Sequence, residues 1–381
     1  VSQSPDSYIA KHRFLGKYWQ YRTFKANYLP SLSLNSTLLN YNKSIRKTTL
    51  DGQDVFLDQN SNNSSMQLSL NQNIGPTGGS IYLNSDVLRL DQFNDSTTSY
   101  SSSPISIGIV QPILSFNSLK WERKIEPIKY EEAKKEYVES IEQISMDAVS
   151  HFFELLSAQL DVQISKINFL NTDTLFKISE GRFNIGKIAQ NELLQMELSF
   201  LNSNSDVNNS ELNLKIMEFR LRSFLGFNET VKLELIVPYE IPKLEINVSQ
   251  AMDLALKNNP DILSYHRQLV EAKRDVAQAK AENRFNANLS LNYGLSQTAT
   301  EAKDVYIDPQ QTSNLYFGID IPIIDWGLGK GEVKMAKSNE ELTKIVIEQA
   351  EIDFQQNVFL KVMQFNMQNE QVRIAAKARS E

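Results

Sequence analysis

The sequence predicts a mainly α-helical fold with a minority of β-strands, arranged in two related halves. The first observation is that three long segments lack both glycine and proline, as expected of long helices: 128–180, 187–225 and 332–381. The second is that short segments alternate apolar and polar residues, as strands with one apolar face do. The third is that the strand-like segment 105–114 returns as 315–324, at an offset of 210 residues. In both copies this segment leads directly into a long helical pattern.

The repeat extends to the elements that precede these strands. A helix opening with Ser-Pro-Asp at 4–6 leads towards the alternating segment 32–35, and a helix opening with Asn-Pro-Asp at 259–261 leads towards the segment 289–292. Proline is tolerated in the first turn of a helix, and an aspartate there complements the helix dipole. We therefore predict the order helix, strand, strand, helix in each half, with four main strands in the chain.

A long polar insert separates the first two predicted strands. It covers about 41–103, whereas the corresponding insert of the second half covers only 296–313. Within the first insert, alternating segments at 66–70 and 81–83 are joined by Gly-Pro-Thr-Gly-Gly at 75–79, which predicts a hairpin. Because surfaces tolerate inserts of such unequal length, we expect the insert on an exposed rim.

The helix predicted over 128–180 would be several times longer than an average helix. An apolar seam at spacings of three and four follows one face and consists of Tyr137, Ile141, Ile144, Ala148, Leu155 and Val162. Flanking apolar residues widen this seam: Val149, Phe152, Phe153 and Leu156. The pattern is typical of coiled coils, and its width predicts packing on both sides. An ordinary helical bundle is the alternative, because periodicity alone does not define the assembly.

The segment 228–248 interrupts these helical patterns. Pro238 and Pro242 disfavour helix at the residues before them, and the alternation at 243–246 indicates one short strand. We expect an extended connector between the two halves.

Composition and charge exclude several functional classes. The net charge is −7 and no dense cluster of lysine and arginine occurs, which argues against a nucleic-acid partner. The absence of cysteine excludes disulfides, thiolate metal sites and a cysteine nucleophile. His12, His151 and His266 share no ligand spacing, and the sequence contains no phosphate-binding loop and no Gly-x-Ser-x-Gly motif. We therefore expect no catalytic residues, no metal site and no cofactor.

No segment is long and apolar enough to be a transmembrane helix, but this does not exclude a membrane, because barrel strands are short and only half apolar. Val1 stands where an initiator methionine would be, so we expect a trimmed start.

Four strands cannot close a barrel alone, and lipid does not tolerate open strand edges. The strands therefore either form a small soluble sheet or are pooled by several chains into one barrel. Their direct fusion to very long helices favours the pooled barrel.

If the strands form a pooled barrel, five residues are candidates for positions at the membrane interface or in the lumen. Phe116, Trp121 and Trp326 lie near the strand–helix junctions, where interfacial aromatic residues would be expected, although each could equally pack in a core. Tyr316 and Asp320 alternate onto the polar side of their strand and would face a hydrated lumen. On a soluble sheet the same two residues would simply be exposed.

Taken together, these features resemble the TolC-like outer membrane efflux proteins. The resemblance rests on the doubled helix-strand-strand-helix unit, the helix start at 259–261, the prolines at 112 and 322, and the segment 182–189. That last segment is similar to the family's periplasmic hairpin tip, a turn between two antiparallel helices, and contains Arg182, Phe183, Asn184, Ile185, Gly186 and Lys187. The glycine-rich insert and the Gln-Pro at 111–112 are similar to those of a Bacteroidetes-type member.

The resemblance implies a homotrimer that acts as a passive exit duct for efflux or type I secretion. Each protomer would contribute four strands to a twelve-stranded β-barrel in outer membrane lipid, and its helices would form an α-barrel, a tunnel across the periplasm. The barrel strands and extracellular loops would be 28–114 and 285–324, the tunnel 1–27, 115–227, 255–284 and 325–381, and the equatorial connector 228–254. The hairpin tip would dock on a periplasmic adaptor, which joins the duct to an inner-membrane RND or ABC transporter.

Two further expectations complete the sequence analysis. The offset of 210 residues places a second hairpin tip beyond residue 381, so the last return helix, with the acidic residues that constrict the family's tunnel, is expected outside this sequence. The competing functional class is a soluble or surface-attached coiled-coil scaffold that conducts nothing. Only the conduit requires lipid-facing strands that close in an oligomer.

Overall fold

The structure, a computed structural model, describes residues 2–50, 53–227, 233, 235–236 and 244–378. The helices are α1 (Pro5–Ala26), α2 (Ser118–Asn184), α3 (Gln190–Leu225), α4 (Val248–Asn258), α5 (Pro260–Glu282) and α6 (Leu328–Ala378). The strands are β1 (Ser31–Thr37), β2 (Tyr41–Leu50), β3 (Gln53–Ile74), β4 (Gly79–Gln92), β5 (Thr97–Ile113), β6 (Asn286–Ala299) and β7 (Gln310–Asp320). A short 3-10 helix, Asp304–Tyr306, lies between β6 and β7. The predicted combination of long helices with antiparallel strands is confirmed.

The chain divides into two compact units. The helical unit consists of Val1–Lys17, Glu132–Pro260 and Gln355–Glu381. The sheet unit consists of Tyr18–Glu131 and Asp261–Phe354.

In the helical unit, α2 and α3 form an antiparallel pair. The Phe200 ring of α3 lies 5.3 Å from that of Phe169 and 5.6 Å from that of Phe176, both on α2. Nearby, the hydroxyl oxygens of Thr172 and Ser203 are 2.6 Å apart. These contacts place later residues of α3 opposite earlier residues of α2, as in a helical hairpin.

The predicted apolar seam of α2 is confirmed as its inward-facing side. Ile144, Leu155 and Val162 are buried. On the flanks, Val149 and Phe153 are exposed, the latter to 47%. The flanks therefore retain apolar surface that this copy of the helical unit does not cover.

The helix starts agree with the sequence prediction at two positions and differ at a third. Ser4 caps α1 by accepting a hydrogen bond from the Ser7 amide, and α5 begins at Pro260. However, α2 begins at Ser118, ten residues before the proline-free segment, and contains Pro127 in its interior. The Asn117 side chain caps this earlier start by accepting a hydrogen bond from the Lys120 amide at 3.0 Å.

Most of the predicted connector, including the start of the segment at 243–246, lies outside the described residues. Residues 244–247, which the structure does describe, form no strand. Instead, the backbone N–H of Ile246 donates to Oδ1 of Asn366 at 3.0 Å, and Nδ2 of Asn366 donates to the Ile246 carbonyl at 2.9 Å. The expectation of a strand at 244–246 is therefore wrong, because a side-chain amide occupies the place of a strand partner.

The sheet unit contains one antiparallel sheet in the order β1-β3-β4-β5-β6-β7, and β2 also pairs with β3. β1 pairs with residues 65–71 of β3, whereas β2 pairs with residues 53–62 of the same strand. β1 and β2 therefore follow each other along one edge of β3 and occupy one position across the sheet. We call each such position a column, and the sheet has six columns.

The strand count and the position of the insert differ from the sequence prediction. Four main strands were expected, with the insert on a rim, but β3 and β4 of the insert lie between β1 and β5 within the sheet. A hairpin can be accommodated there because it adds two antiparallel strands and leaves the directions of β1 and β5 unchanged. The predicted turn at 75–79 is confirmed as the connection between β3 and β4.

Candidate functional site

The two faces of the sheet differ sharply in chemistry. Residues that are paired in adjacent antiparallel strands point to the same side. One row of such pairs runs from Leu32 through Leu70 and Leu83 to Ile107. The next row continues the apolar surface across the remaining strands, from Ile81 through Ile109 and Leu291 to Leu315. We call the whole set the apolar face: Leu32, Leu34, Leu68, Leu70, Ile81, Leu83, Ile107, Ile109, Leu289, Leu291, Leu315 and Phe317.

The apolar face extends over all six columns and is largely uncovered. Leu32 at one end of the sheet is 66% exposed, and Leu315 at the other end is 67% exposed. Soluble monomers rarely expose apolar patches of this extent. The surface therefore requires a partner other than water.

The opposite side, which we call the polar face, carries small hydrogen-bonding residues. A row of pairs runs from Ser33 through Ser69 and Asn84 to Ser106. The Ser69 hydroxyl donates to Oδ1 of Asn84 at 2.5 Å and accepts from Nδ2 of Asn71 at 2.9 Å. This row has hydrogen-bonding capacity for water and carries no fixed charge.

Both residues predicted to face a lumen lie on the polar face. Tyr316 is paired with Ser290, and Asp320 is paired with Asn286. That this face lines a lumen stays a prediction.

The glycines that mark the sequence repeat are covered by tyrosine side chains on the polar face. Gly108 is paired with Tyr82, and a Cβ at position 108 would overlap the Tyr82 ring. A Cβ at position 318 would lie 2.6 Å from the Tyr316 hydroxyl. Glycine is therefore required at both positions for the tyrosine side chains to lie flat over the backbone.

Side chains tie the helices to the sheet at the junction where α1 ends and α2 begins. The Tyr28 hydroxyl donates to the Leu119 carbonyl at 2.6 Å, and Nε2 of Gln72 donates to the Tyr28 carbonyl at 2.9 Å. On the second half, the Arg284 guanidinium donates to the Leu114 carbonyl, with Nε at 3.0 Å.

The turn between β3 and β4 belongs to the same junction. Nδ2 of Asn117 donates to the carbonyls of Gly75 at 3.0 Å and Pro76 at 3.1 Å. Nε2 of Gln111 donates to the carbonyl of Thr77 at 3.2 Å. The insert therefore returns at the level where β5 meets α2, and its turn is held there by side chains of the junction.

The three aromatic residues predicted for a membrane interface have different environments. Phe116 and Trp121 are half-buried, and the Lys124 ammonium lies 4.7 Å from the Trp121 ring. Trp326 is 95% exposed and has a left-handed backbone with φ 54°. Their interfacial role stays a prediction.

Asp325 fixes the chain where the second long helix begins. Its carboxylate accepts hydrogen bonds from the amides of Gly327 at 2.9 Å and Gly329 at 3.0 Å. These two backbone N–H groups hold the pKa of Asp325 below its usual value. Asp325 thus caps α6 in the way that Asn117 caps α2, but sequence inspection had not singled out either residue. An Asx residue just before a helical pattern is the signal that identifies both.

The predicted hairpin tip is the turn between α2 and α3. α2 ends at Asn184 and Gly186 follows with φ 71°. The Gly186 amide donates to the Phe183 carbonyl at 2.8 Å, and the Lys187 amide donates to the Arg182 carbonyl at 2.9 Å. This pair of bonds is the Schellman motif, which ends a helix at a left-handed glycine.

All six residues predicted for the tip are exposed, with Ile185 at 70%. An apolar side chain so exposed, next to the charged side chains of Arg182 and Lys187, forms a small surface suited to protein contact. That a partner docks there stays a prediction.

The described ranges contain neither a cluster of metal ligands nor an isolated histidine without contacts at position 151. No group of three or more potential metal ligands occurs among the residues that the structure describes. His151 lies with Nδ1 3.2 Å from Oε2 of Glu154, and its ring is 5.2 Å from Phe224. It is therefore a packed, hydrogen-bonded residue of the helical unit. Within the described ranges, no helix is both long and apolar enough to cross a membrane.

The chain is similar to known proteins in both sequence and fold. The family model for outer membrane efflux proteins matches residues 19–227, more than half of the chain. No curated protein matches the sequence. Three solved structures illustrate the shared fold. The CmeC outer membrane channel of Campylobacter jejuni has 15% identity and a TM-score of 0.64, over 99% of this chain and 72% of that one.

The other two structures align over the full chain at similar identity. The outer membrane protein VceC of Vibrio cholerae has 13% identity and a TM-score of 0.59, over 100% of this chain and 78% of that one. The MtrE outer membrane channel of Neisseria gonorrhoeae, in its open state, has 15% identity and a TM-score of 0.57, over 100% of this chain and 73% of that one. With the family match over the first half, the chain belongs to the outer membrane efflux protein family.

Proposed function

We propose that the chain is one protomer of a passive trimeric exit duct, located in the outer membrane of a Gram-negative bacterium and extended into the periplasm by its helices. The family consists of channels rather than enzymes, and its members act as trimers with efflux partners. The observation that carries the proposal is the uncovered apolar face, which crosses every column of the sheet and is backed by a polar face.

Lipid is the proposed partner of the apolar face. A tilted membrane strand needs roughly 9–11 residues to cross the hydrocarbon layer, and β4 and β6 have 14 residues each while β7 has 11. The polar face would then line the lumen, with Tyr316 and Asp320 among the wall residues. Within the part of the chain that the structure describes, β1 and β7 each have an unpaired edge. Such edges are not tolerated in lipid, so further copies would have to pair with them.

The proposed regions are those expected from the resemblance. Residues 28–114 and 285–324 would form the barrel and its extracellular loops, and 228–254 the equatorial connector. The tunnel would comprise 1–27, 115–227, 255–284 and 325–381. Its walls would be sealed where exposed apolar side chains of α2, such as Val149, Phe153 and Leu160, pack against neighbouring copies.

The tip at Arg182–Lys187 is the proposed docking point for a periplasmic adaptor. It combines a rigid turn with the exposed Ile185 side chain and two cationic side chains. The adaptor would connect the duct to an inner-membrane RND or ABC transporter that supplies the energy.

A measurement of mass and conductance separates this proposal from a coiled-coil scaffold. Purified full-length protein is examined in mild detergent for its oligomeric mass and in a planar bilayer for single-channel conductance. We expect a detergent-dependent trimer with a steady conductance. A water-soluble monomer or dimer that does not conduct would refute the duct and support the scaffold.

A second experiment addresses the docking tip alone. We expect Ile185→Ser to lower adaptor binding by about five- to thirtyfold, because an exposed apolar anchor at a contact contributes on the order of 1–2 kcal/mol. The matched control is Ile178→Ser, an isoleucine of α2 that lies two turns before the tip and is 52% exposed. Both variants should remain conducting trimers. Equal adaptor binding by the two variants would show that docking occurs elsewhere.

A further inference from the structure

We infer that each copy contributes six strand columns to the membrane wall, so that three copies close a barrel of eighteen strands rather than twelve. The inference rests on the proposed trimeric duct and concerns what its wall is made of. It comes from the β3–β4 hairpin, which the sheet contains in addition to the four strands that connect to helices.

The hairpin is part of the sheet and not a loop above it. β3 pairs with β1 on one side and with β4 on the other, and β4 pairs in turn with β5. The pairing of β3 with β4 is continuous from Ser61 and Gln92 down to Ile74 and Gly79. Removing the hairpin from the wall would therefore break two complete strand interfaces.

The hairpin also extends as far towards the strand–helix junction as the strands that connect to helices. Next to its turn, Ser80 is paired with Val110, two residues above the Pro112 position of β5. The turn is held by Asn117, the residue that caps α2. A Cβ at position 75 would lie 2.9 Å from the Tyr28 ring. The turn therefore packs closely against Tyr28, which lies in the short segment between α1 and β1. An extracellular loop would have no contact with this junction.

Both faces of the hairpin continue the chemistry of its neighbours. Leu70 and Leu83 extend the apolar row between Leu32 of β1 and Ile107 of β5. Ser69 and Asn84 extend the polar row and share a hydrogen bond. In a hairpin outside the wall, the apolar and polar residues would not be expected to fall on the same sides as those of β1 and β5.

The open edges of the sheet fit a second copy of this chain. The columns alternate in direction, and their number is even, so the β7 column runs opposite to the β1–β2 column. Pairing β7 of one copy with β1 of the next is therefore antiparallel, like all other pairs in the sheet. A ring of three copies leaves no open edge.

The wider wall changes what the outer membrane segment can pass. Barrel diameter grows roughly in proportion to strand number, and barrels of about 16–18 strands enclose an aqueous channel. Six additional strands would widen the barrel by about half. Its lining is rich in serine, asparagine and glutamine and includes the carboxylate of Asp320, so this segment would form a hydrated lumen that passes bulky polar solutes.

Cysteine pairs test the inference, because the chain contains no native cysteine. Ser33 and Ser69 are paired neighbours, whereas Ser33 and Ser106 are three columns apart, about 14–15 Å by strand spacing. A disulfide requires Cα atoms within about 7 Å. In trimers isolated in membranes, we expect Ser33→Cys with Ser69→Cys to form an intramolecular disulfide, and Ser33→Cys with Ser106→Cys to remain reduced.

The outcomes separate the inference from the proposed function. A disulfide between positions 33 and 106 would mean that β1 contacts β5 directly and would overturn the eighteen-stranded wall, while the trimer and its conductance would stand. A lack of disulfide in both pairs would also overturn it. A protein that forms no membrane trimer would instead refute the proposed duct.

Single cysteines provide a second readout that does not depend on disulfide geometry. A membrane-impermeant maleimide should label Asn84→Cys, on the polar face, at least tenfold faster than Leu83→Cys, on the apolar face. In the hairpin of an extracellular loop both positions would be labelled at similar rates, and that result would overturn the inference. Trimer mass and conductance confirm that each variant is assembled.

Discussion

The side-chain amide of Asn366 forms both hydrogen bonds of a strand pair with the backbone of Ile246. Oδ1 accepts from the Ile246 N–H at 3.0 Å, and Nδ2 donates to the Ile246 carbonyl at 2.9 Å. Within the helical unit, this arrangement fastens the segment that precedes α4 to the helix α6. One side chain on a helix thus satisfies two backbone groups that would otherwise require a β-strand.

Replacing Asn366 by leucine should release this segment. Asn366→Leu removes the partners of both backbone groups, which are partly buried, and losing a hydrogen bond of this kind costs about 0.5–1.5 kcal/mol. We expect faster proteolysis within 244–247 and a lower melting temperature. The control is Gln364→Leu, an exposed position two residues earlier on α6, which should behave like the wild type. Equal protease resistance of the two variants would show that other contacts hold the segment.

Asn117 is expected to serve two separable purposes at the strand–helix junction. Its Oδ1 caps α2, and its Nδ2 holds the turn between β3 and β4. Asn117→Ala should lose both functions and destabilise the protein by about 1–2 kcal/mol. Asn117→Asp keeps the accepting oxygen and should lose only the turn contacts. Hydrogen exchange checks this: the alanine variant should exchange faster at 118–120 and at 75–78, the aspartate variant only at 75–78.

Sequence reasoning succeeded where local chemistry decides the structure. The starts of α1 and α5 follow from an Asx or serine cap, a proline and an aspartate within a few residues, and the end of α2 follows from Gly186. The alternation of strands predicts which side of each strand is apolar. These features require no knowledge of the rest of the chain.

Sequence reasoning failed where the pairing of strands distant in sequence determines the structure. The alternation at 66–70 and 81–83 is the same for a rim hairpin and for a hairpin in the wall. The difference lies in the pairing of β3 with β1 and of β4 with β5, which joins residues far apart in sequence. The start of α2 at Ser118 was missed because the helical segment was counted from the residue after Pro127 and the cap at Asn117 was not singled out. Docking at the tip depends on a partner that this chain does not encode.

The start of α6 should respond to acid through Asp325. Hydrogen bonds from Gly327 and Gly329 depress the pKa of this carboxylate in the folded protein. The stabilisation is therefore complete above the ordinary aspartate pKa of about 4 and is lost as pH falls through the lower folded value. The neighbouring Trp326 provides the probe, in a variant with Trp19→Phe and Trp121→Phe. We expect its fluorescence to change below about pH 4, and Asp325→Asn to abolish that acid transition; persistence of the transition in the variant would assign it to another group.

The tip offers a matched pair of glycines for a final prediction. Gly186 has φ 71°, whereas Gly181 lies inside α2, where a Cβ would meet nothing within 4 Å. Gly186→Ala should strain the left-handed turn by about 1 kcal/mol, while Gly181→Ala should be neutral or slightly stabilising because alanine favours helix. We expect the first variant to show faster proteolysis at the tip and weaker adaptor binding, with unchanged conductance, and the second to match the wild type. Because both substitutions add the same methyl group, a loss of adaptor binding in both variants would point to steric contact along α2, and a loss in neither would show that the shape of the turn does not matter for docking.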